Sequence, residues 1–163
     1  MALSLLVFSP ATAIAAPPRQ QTPSGEPIPR YATLKAAPVN ARGGPGEDYR
    51  ALWRYTVKNV PVQIVEETQD WRRVCDPEGG LAWVRASALD GRRTVMRIGA
   101  SDLKLRARPA EDARVVAVLA ARAVADLVQC KIGWCKITVD HATGWVRPAE
   151  VWGTAEAAQC RGR

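Results

Sequence analysis

The chain is poor in the residues on which most enzyme chemistry depends. Its 163 residues contain one histidine, one phenylalanine and two methionines. A single histidine excludes any metal centre or catalytic set built on paired imidazoles. His141 follows Asp140 in the string V-D-H-A-T-G, which is turn chemistry. A nucleophile would have to lie within about 3 Å of it, and no Gly-x-Ser-x-Gly elbow supplies one. Gly43-Gly44-Pro45-Gly46 is followed by neither a helical pattern nor Lys-Ser/Thr, so it is no phosphate loop. Glu47-Asp48 and Glu111-Asp112 follow turns, where solvated carboxylates are the default. The chain also lacks a block of positive charge. Its net charge of +7 comes mainly from arginines in ones and twos, such as Arg72-Arg73 and Arg92-Arg93. That pattern suits a solvated basic surface that favours anionic partners, not nucleic-acid recognition. No catalytic residue, cofactor or metal ion is expected.

What is present begins with a short apolar run, Leu3 to Phe8, then small residues and Ala13-Ile14-Ala15. An apolar stretch ending in an A-x-A-like site is the pattern of a signal peptide over residues 1–15, with cleavage after Ala15. No Lys or Arg precedes the run, as a misassigned start would explain. The run is too short to span a bilayer, which takes about 20 apolar residues. The mature chain is therefore expected to be periplasmic or secreted and to have no transmembrane segment. Residues 16–30 are dense in proline and carry no apolar period, as befits a semi-extended linker.

The rest of the chain repeats itself. Val39-Asn40-Ala41-Arg42, with the turn through Arg50, aligns with Leu103-Lys104-Leu105-Arg106 through Arg114 at an offset of 64. Asp70-Trp71-Arg72-Arg73-Val74 matches Gly133-Trp134-Cys135-Lys136-Ile137 at 63, and Ala82-Trp83-Val84-Arg85 matches Gly144-Trp145-Val146-Arg147 at 62. Three blocks in one order, drifting by one residue each, mark a duplication with single deletions in turns. Within each unit the apolar residues alternate with period two, as in Val62 and Ile64, or Ala125 and Leu127. Turn signals interrupt them at short, regular intervals, which predicts an all-β fold of small barrels with about five strands each. The expected units are residues 31–93 and 94–153, followed by a tail over 154–163. A domain of some sixty residues buries only about 60% of its unfolded surface, so packing between the halves, or cross-links, should matter.

The blocks V-N-A-R-G-G-P-G, D-W-R-R-V and A-W-V-R-A-S-A-L resemble those of bacterial SH3-like (SH3b) domains. The resemblance is good over residues 33–93 and weaker over 94–153, where the glycines of the first turn are gone. It implies two tandem SH3-like barrels in an exported protein that binds cell-wall peptidoglycan or a protein partner. Ala51-Leu52-Trp53-Arg54-Tyr55 is similar to a string in eukaryotic SH3 domains, but it follows the Gly-Pro-Gly turn instead of opening the domain.

Four cysteines in a short exported chain point to disulfides. In Cys130-Lys131-Ile132-Gly133-Trp134-Cys135 a two-residue Ile-Gly turn places the cysteines opposite one another, within disulfide reach. A zinc site is the rival, but Cys-x4-Cys lacks a second clean pair of ligands. Cys75 and Cys160 either staple the tail to the first unit or stay free. The binding signal lies in the repeated tryptophans. Trp71, Trp83, Trp134 and Trp145 occupy equivalent places. Strand alternation sets Trp83 and Val84 on opposite faces, so one of them is expected to be partly exposed. An exposed ring beside Arg85, or Trp145 beside Arg147, would make a platform for sugar or peptide. The expected function is a non-catalytic module for peptidoglycan or another envelope component. The alternative is a structural adaptor that binds another envelope protein.

Overall fold

The structure, a computed structural model, describes residues 22–160. The expected signal peptide, the first part of the linker and the last three tail residues lie outside the described residues. Strands β1 (Arg30–Leu34), β2 (Val39–Arg42), β3 (Ala51–Tyr55), β4 (Pro61–Glu67), β5 (Trp71–Cys75), β6 (Leu81–Arg85) and β7 (Leu89–Asp90) make the first unit. The second has β8 (Thr94–Arg97), β9 (Leu103–Arg106), β10 (Val115–Leu119), β11 (Val124–Lys131), β12 (Trp134–Val139), β13 (Ala142–Val146) and β14 (Val151–Trp152). Each sheet is antiparallel, and the orders β3-β2-β6-β5-β4-β1-β7 and β10-β9-β13-β12-β11-β8-β14 are the same topology shifted by seven strands. The chain is two tandem SH3-like β domains. Each sheet has seven strands instead of about five because short β1 pairs with both β4 and the two-residue β7, a closure repeated by β8 with β11 and β14.

The alternation that predicts these strands also fills the cores. In β2, Val39 and Ala41 are buried and Asn40 is exposed; in β9, Leu103 and Leu105 are buried around exposed Lys104. Leu34, Val62, Val74 and Val84 anchor the first core, and Val95, Leu105, Ile137 and Val146 the second. Each such side chain contributes roughly 1.5–3 kcal/mol on burial. In β4 the alternation breaks down, since Gln63 is buried along with Val62 and Ile64. Its outward face is covered by the tail. The Gln63 amide donates to the Ala157 carbonyl at 2.9 Å and accepts from the Gln159 N–H at 2.8 Å.

That tail contact is one of five that lock the units together. Cys160, at the end of the tail of the second unit, is disulfide-bonded to buried Cys75 of the first. The buried hydroxyls of Thr33 and Thr94 lie 2.9 Å apart, and each reaches a backbone carbonyl, of Arg92 and Asn59 respectively. Met96, from the first strand of the second unit, belongs to the core of the first. Tyr31 meets Trp152 edge to face with ring centres 5.3 Å apart. The two threonine hydroxyls and the Gln63 amide are buried and satisfied, whereas the buried Tyr31 hydroxyl has no partner among the described residues.

Candidate functional site

Sheet order decides which repeated residues meet. Because β6 lies between β2 and β5, the end of β2, the end of β6 and the start of β5 converge on one edge of the first unit. Register places Arg85 directly opposite Trp71, and Arg42 opposite Trp83. The turn after β2 then folds Glu47 over this edge. Its Oε2 accepts from Arg42 Nη2 at 2.6 Å and its Oε1 from Arg85 Nε at 2.7 Å. Arg42 Nη1 also donates to the carbonyls of Glu47 and Tyr49, which closes the turn. The Arg85 guanidinium lies 5.1 Å above the Trp71 ring. The hydrogen bond from Arg85, with Arg42 beside it, holds the Glu47 carboxyl below the usual carboxylate range. A shallow groove of about 330 Å3 opens here, lined by Pro38, Asn40, Arg42, Glu47, Trp71 and Arg85 among others.

The second unit builds the same cluster. Glu111 Oε1 accepts from Arg147 Nε at 2.9 Å, and Oε2 lies 3.5 Å from Arg106 Nη2. The Arg147 guanidinium sits 3.9 Å above Trp134, closer than its counterpart in the first unit. Each cluster thus presents guanidinium donors next to a carboxylate acceptor, on an aromatic base. Such an edge can hold a ligand carboxylate on arginine while a neighbouring hydroxyl or amine meets glutamate.

The expectation of an exposed tryptophan is not met. Val84 is in the core and Trp83 is on the opposite face, as alternation requires, yet both are buried. Trp71, Trp134 and Trp145 are equally buried, at 6–9% exposure. The outward rings are roofed by long side chains from neighbouring strands. Arg85 covers Trp71, Arg147 covers Trp134, and Lys131 Nζ stands 5.6 Å over Trp145. Trp83 has Arg42 and Arg73 as its cross-strand neighbours. Aliphatic stems that bury apolar rings while keeping their charge in water explain this cover. The groups that reach solvent are Arg85, Arg147, Glu47 and Glu111, with side chains 43–64% exposed. Arg42, Glu47, Arg106 and Glu111 join the site although their residue types alone mark only turn chemistry; the signal for them in the sequence is that all four coincide in the repeat.

His141 is exposed at its turn. The cysteines are all spent in disulfides: the Ile132-Gly133 turn sets Lys131 opposite Trp134 and Cys130 opposite Cys135, and those two cysteines are bonded. Among the described residues no helix is long and apolar enough to cross a membrane.

Known proteins share this sequence pattern. Over 125 residues the chain is 25% identical to a Bacillus subtilis (strain 168) protein named "Putative N-acetylmuramoyl-L-alanine amidase YrvJ". The match covers 71% of this chain but only 24% of that protein, so the chain spans about a quarter of its relative's length. Two solved structures, NlpC1 and NlpC2 from Trichomonas vaginalis, align with 77% and 80% of this chain and 46% and 51% of theirs. Their identities are 10% and 11% and both TM-scores are 0.35, too loose a likeness to argue from. The family match is of another order. Two copies of the bacterial SH3 domain fall on residues 35–91 and 95–153, one on each sheet and its Arg–Glu–Arg edge, and the chain belongs to that family.

Proposed function

We propose that the protein is an exported, non-catalytic module that binds peptidoglycan or a closely related envelope polymer. One observation carries this reading: the Arg–Glu–Arg cluster on tryptophan is built twice, at matching positions, at Arg42, Glu47 and Arg85 and at Arg106, Glu111 and Arg147. Two like sites at a fixed separation suit a polymer with a repeating polar unit, because the second contact is made at high effective concentration. The relative from Bacillus subtilis is named for an N-acetylmuramoyl-L-alanine linkage, an amide on an N-acetylated sugar whose polar groups such an edge can hold. The repeated candidates Trp71, Trp83, Trp134 and Trp145 serve as the base of the site and not as its contact surface. Arg85 and Arg147 are the contact groups.

Sedimentation with purified sacculi tests the reading. The protein should pellet with them, Arg85→Gln and Arg147→Gln should each weaken pelleting, and the double variant should lose most of it. Full pelleting by the double variant would remove the site from consideration. Export has its own test: the mature form should begin at Ala16, and a mature form that retains Met1 would refute it. The adaptor reading draws on edge strands β3 and β10, which expose Leu52 and Val118 at 43% and 55% and could accept another strand.

A further inference from the structure

We propose that the tip of the β11–β12 hairpin is a docking knob: the Ile132 side chain seats in an apolar socket of a partner protein whose rim is acidic. Five observations meet at this residue. Ile132 has φ of 50°, and Gly133 φ of 72°, so the two make a tight turn of the type that wants positive φ at both positions. Asn-Gly is the usual solution, and a β-branched residue in that conformation is strained. Ile132 is also 93% exposed, the most exposed large apolar side chain among the described residues. Neither backbone preference nor burial therefore accounts for isoleucine here. Strain that the local fold does not reward points to a role outside the fold.

The first unit supplies the control. Its equivalent turn is Gln69-Asp70, polar at both positions, and neither residue is left-handed. The duplication thus shows that this hairpin closes without an apolar tip. The hairpin of the second unit is also held rigid from two sides. Cys130 and Cys135 are bonded immediately below the turn, and Arg147 Nη1 donates to the Gly133 carbonyl at 3.1 Å. A pre-organised knob loses little entropy on docking, which is how a small contact gains affinity. Charge selects the partner. Lys131 and Arg147 flank the tip, the nearby carboxylate of Glu111 is already paired with Arg147, and the chain carries +7 overall. An acidic rim around the socket is complementary to that surface and would steer encounter.

The test uses the full chain in its native cells, with a photoreactive residue in place of exposed Gln129, so that Ile132, Lys131 and Arg147 are all kept. Irradiation should give a discrete protein adduct, and Ile132→Asn should cut its yield about tenfold, the effect of losing a central apolar anchor. The same photoreactive residue at position 66, the equivalent place in the first unit, should not give that adduct. Because asparagine suits the left-handed conformation, purified Ile132→Asn should melt no lower than the parent, and its pelleting with sacculi should be unchanged. Any of three results would overturn the proposal: a lower melting temperature for Ile132→Asn, an adduct that survives that substitution, or cross-links to lipid with no protein adduct.

Discussion

The two hairpins that face each other across the duplication solve one problem by different chemistry. In the first unit the residues below the turn are Glu67 and Arg72, paired in register, with Arg72 Nε 3.1 Å from Glu67 Oε2. In the second the corresponding residues are Cys130 and Cys135, also paired in register and covalently joined. The ion pair needs help. Arg30 Nη2 lies 2.6 Å from the same Oε2, and Ser24 donates to Oε1 through both its backbone N–H and its hydroxyl. The segment ahead of β1 therefore secures the first hairpin, whereas the second carries its own fastening. Freed of that dependence, the second tip can present isoleucine to solvent. The lesson is that a duplicated strand pair keeps its register while the chemistry that holds it is free to diverge.

The units also depend on one another unequally, and this predicts the largest effect. The Cys75–Cys160 bridge closes a sequence separation of 85 residues and ties the tail of the second unit to the core of the first. Chain-entropy reasoning gives such a loop about 4.5 kcal/mol, a large share of the 5–15 kcal/mol typical of a whole domain. Cys160→Ser with Cys75→Ser should lower stability by that order in denaturant unfolding, and should loosen Gln63 as the tail lifts. Hydrogen exchange at β4 should rise with it. A double variant that unfolds at the parent's midpoint would show that the four junction contacts suffice without the staple.

Breaking the hairpin fastenings in turn should give smaller, unlike responses. Cys130→Ser with Cys135→Ser opens a much shorter loop and should cost about 2 kcal/mol, felt mainly in the second unit. The first hairpin should respond to acid instead. Burial alone would raise the Glu67 pKa, but hydrogen bonds from Ser24 and Arg30 outweigh it and bring the value from 4.5 down to about 2. A carboxyl depressed in the folded state adds stability that is fully present above about pH 4.5 and is lost as the pH falls toward 2. With surface screening allowed for, that contribution is on the order of 1–2 kcal/mol. Glu67→Gln should flatten the stability profile between pH 4.5 and 2, while the cysteine variant should leave its slope intact. Matching slopes in the parent and Glu67→Gln would sink the comparison.

Some of this was legible in the sequence, because it is local. Period-two alternation through Val39, Ala41, Leu103 and Leu105 marks strands and their buried face, and the Ile132-Gly133 spacing implies the register of its hairpin. The rest depends on which segments the fold brings together. The burial of Gln63 is set by Ala157 and Gln159, and no neighbour in the chain announces it. The tryptophans follow their alternation, but their exposure is decided by arginine and lysine stems on adjacent strands. Glu47 and Glu111 look like solvated turn residues until the end of β6, or the residue just past β13, supplies the second arginine.

The smallest predicted effect concerns the turn after β2, where the units differ in their glycines and in one aromatic residue. The first has Gly44-Pro45-Gly46 and Tyr49; the second has Arg108-Pro109-Ala110 and Ala113. A Cβ on Gly44 would overlap the Tyr49 ring, and one on Gly46 would come within 3.2 Å of it. The tyrosine's position is a buried alanine in the second unit, so no ring from that position covers the turn. The two glycines of the first turn are thus the footprint of one tyrosine, which explains why the second unit dispenses with them while keeping the turn. Gly44→Ala in the parent should cost about 1 kcal/mol, limited because Tyr49 is 51% exposed and can swing aside. Gly44 is not left-handed, so the backbone itself tolerates alanine. In a Tyr49→Ala background the same substitution should be neutral or stabilise by about 0.4–1 kcal/mol, since alanine restricts the unfolded chain. A double-mutant cycle measured by denaturant unfolding should therefore show coupling of about 1 kcal/mol between positions 44 and 49. Additive costs would mean that the glycines answer to something other than the ring.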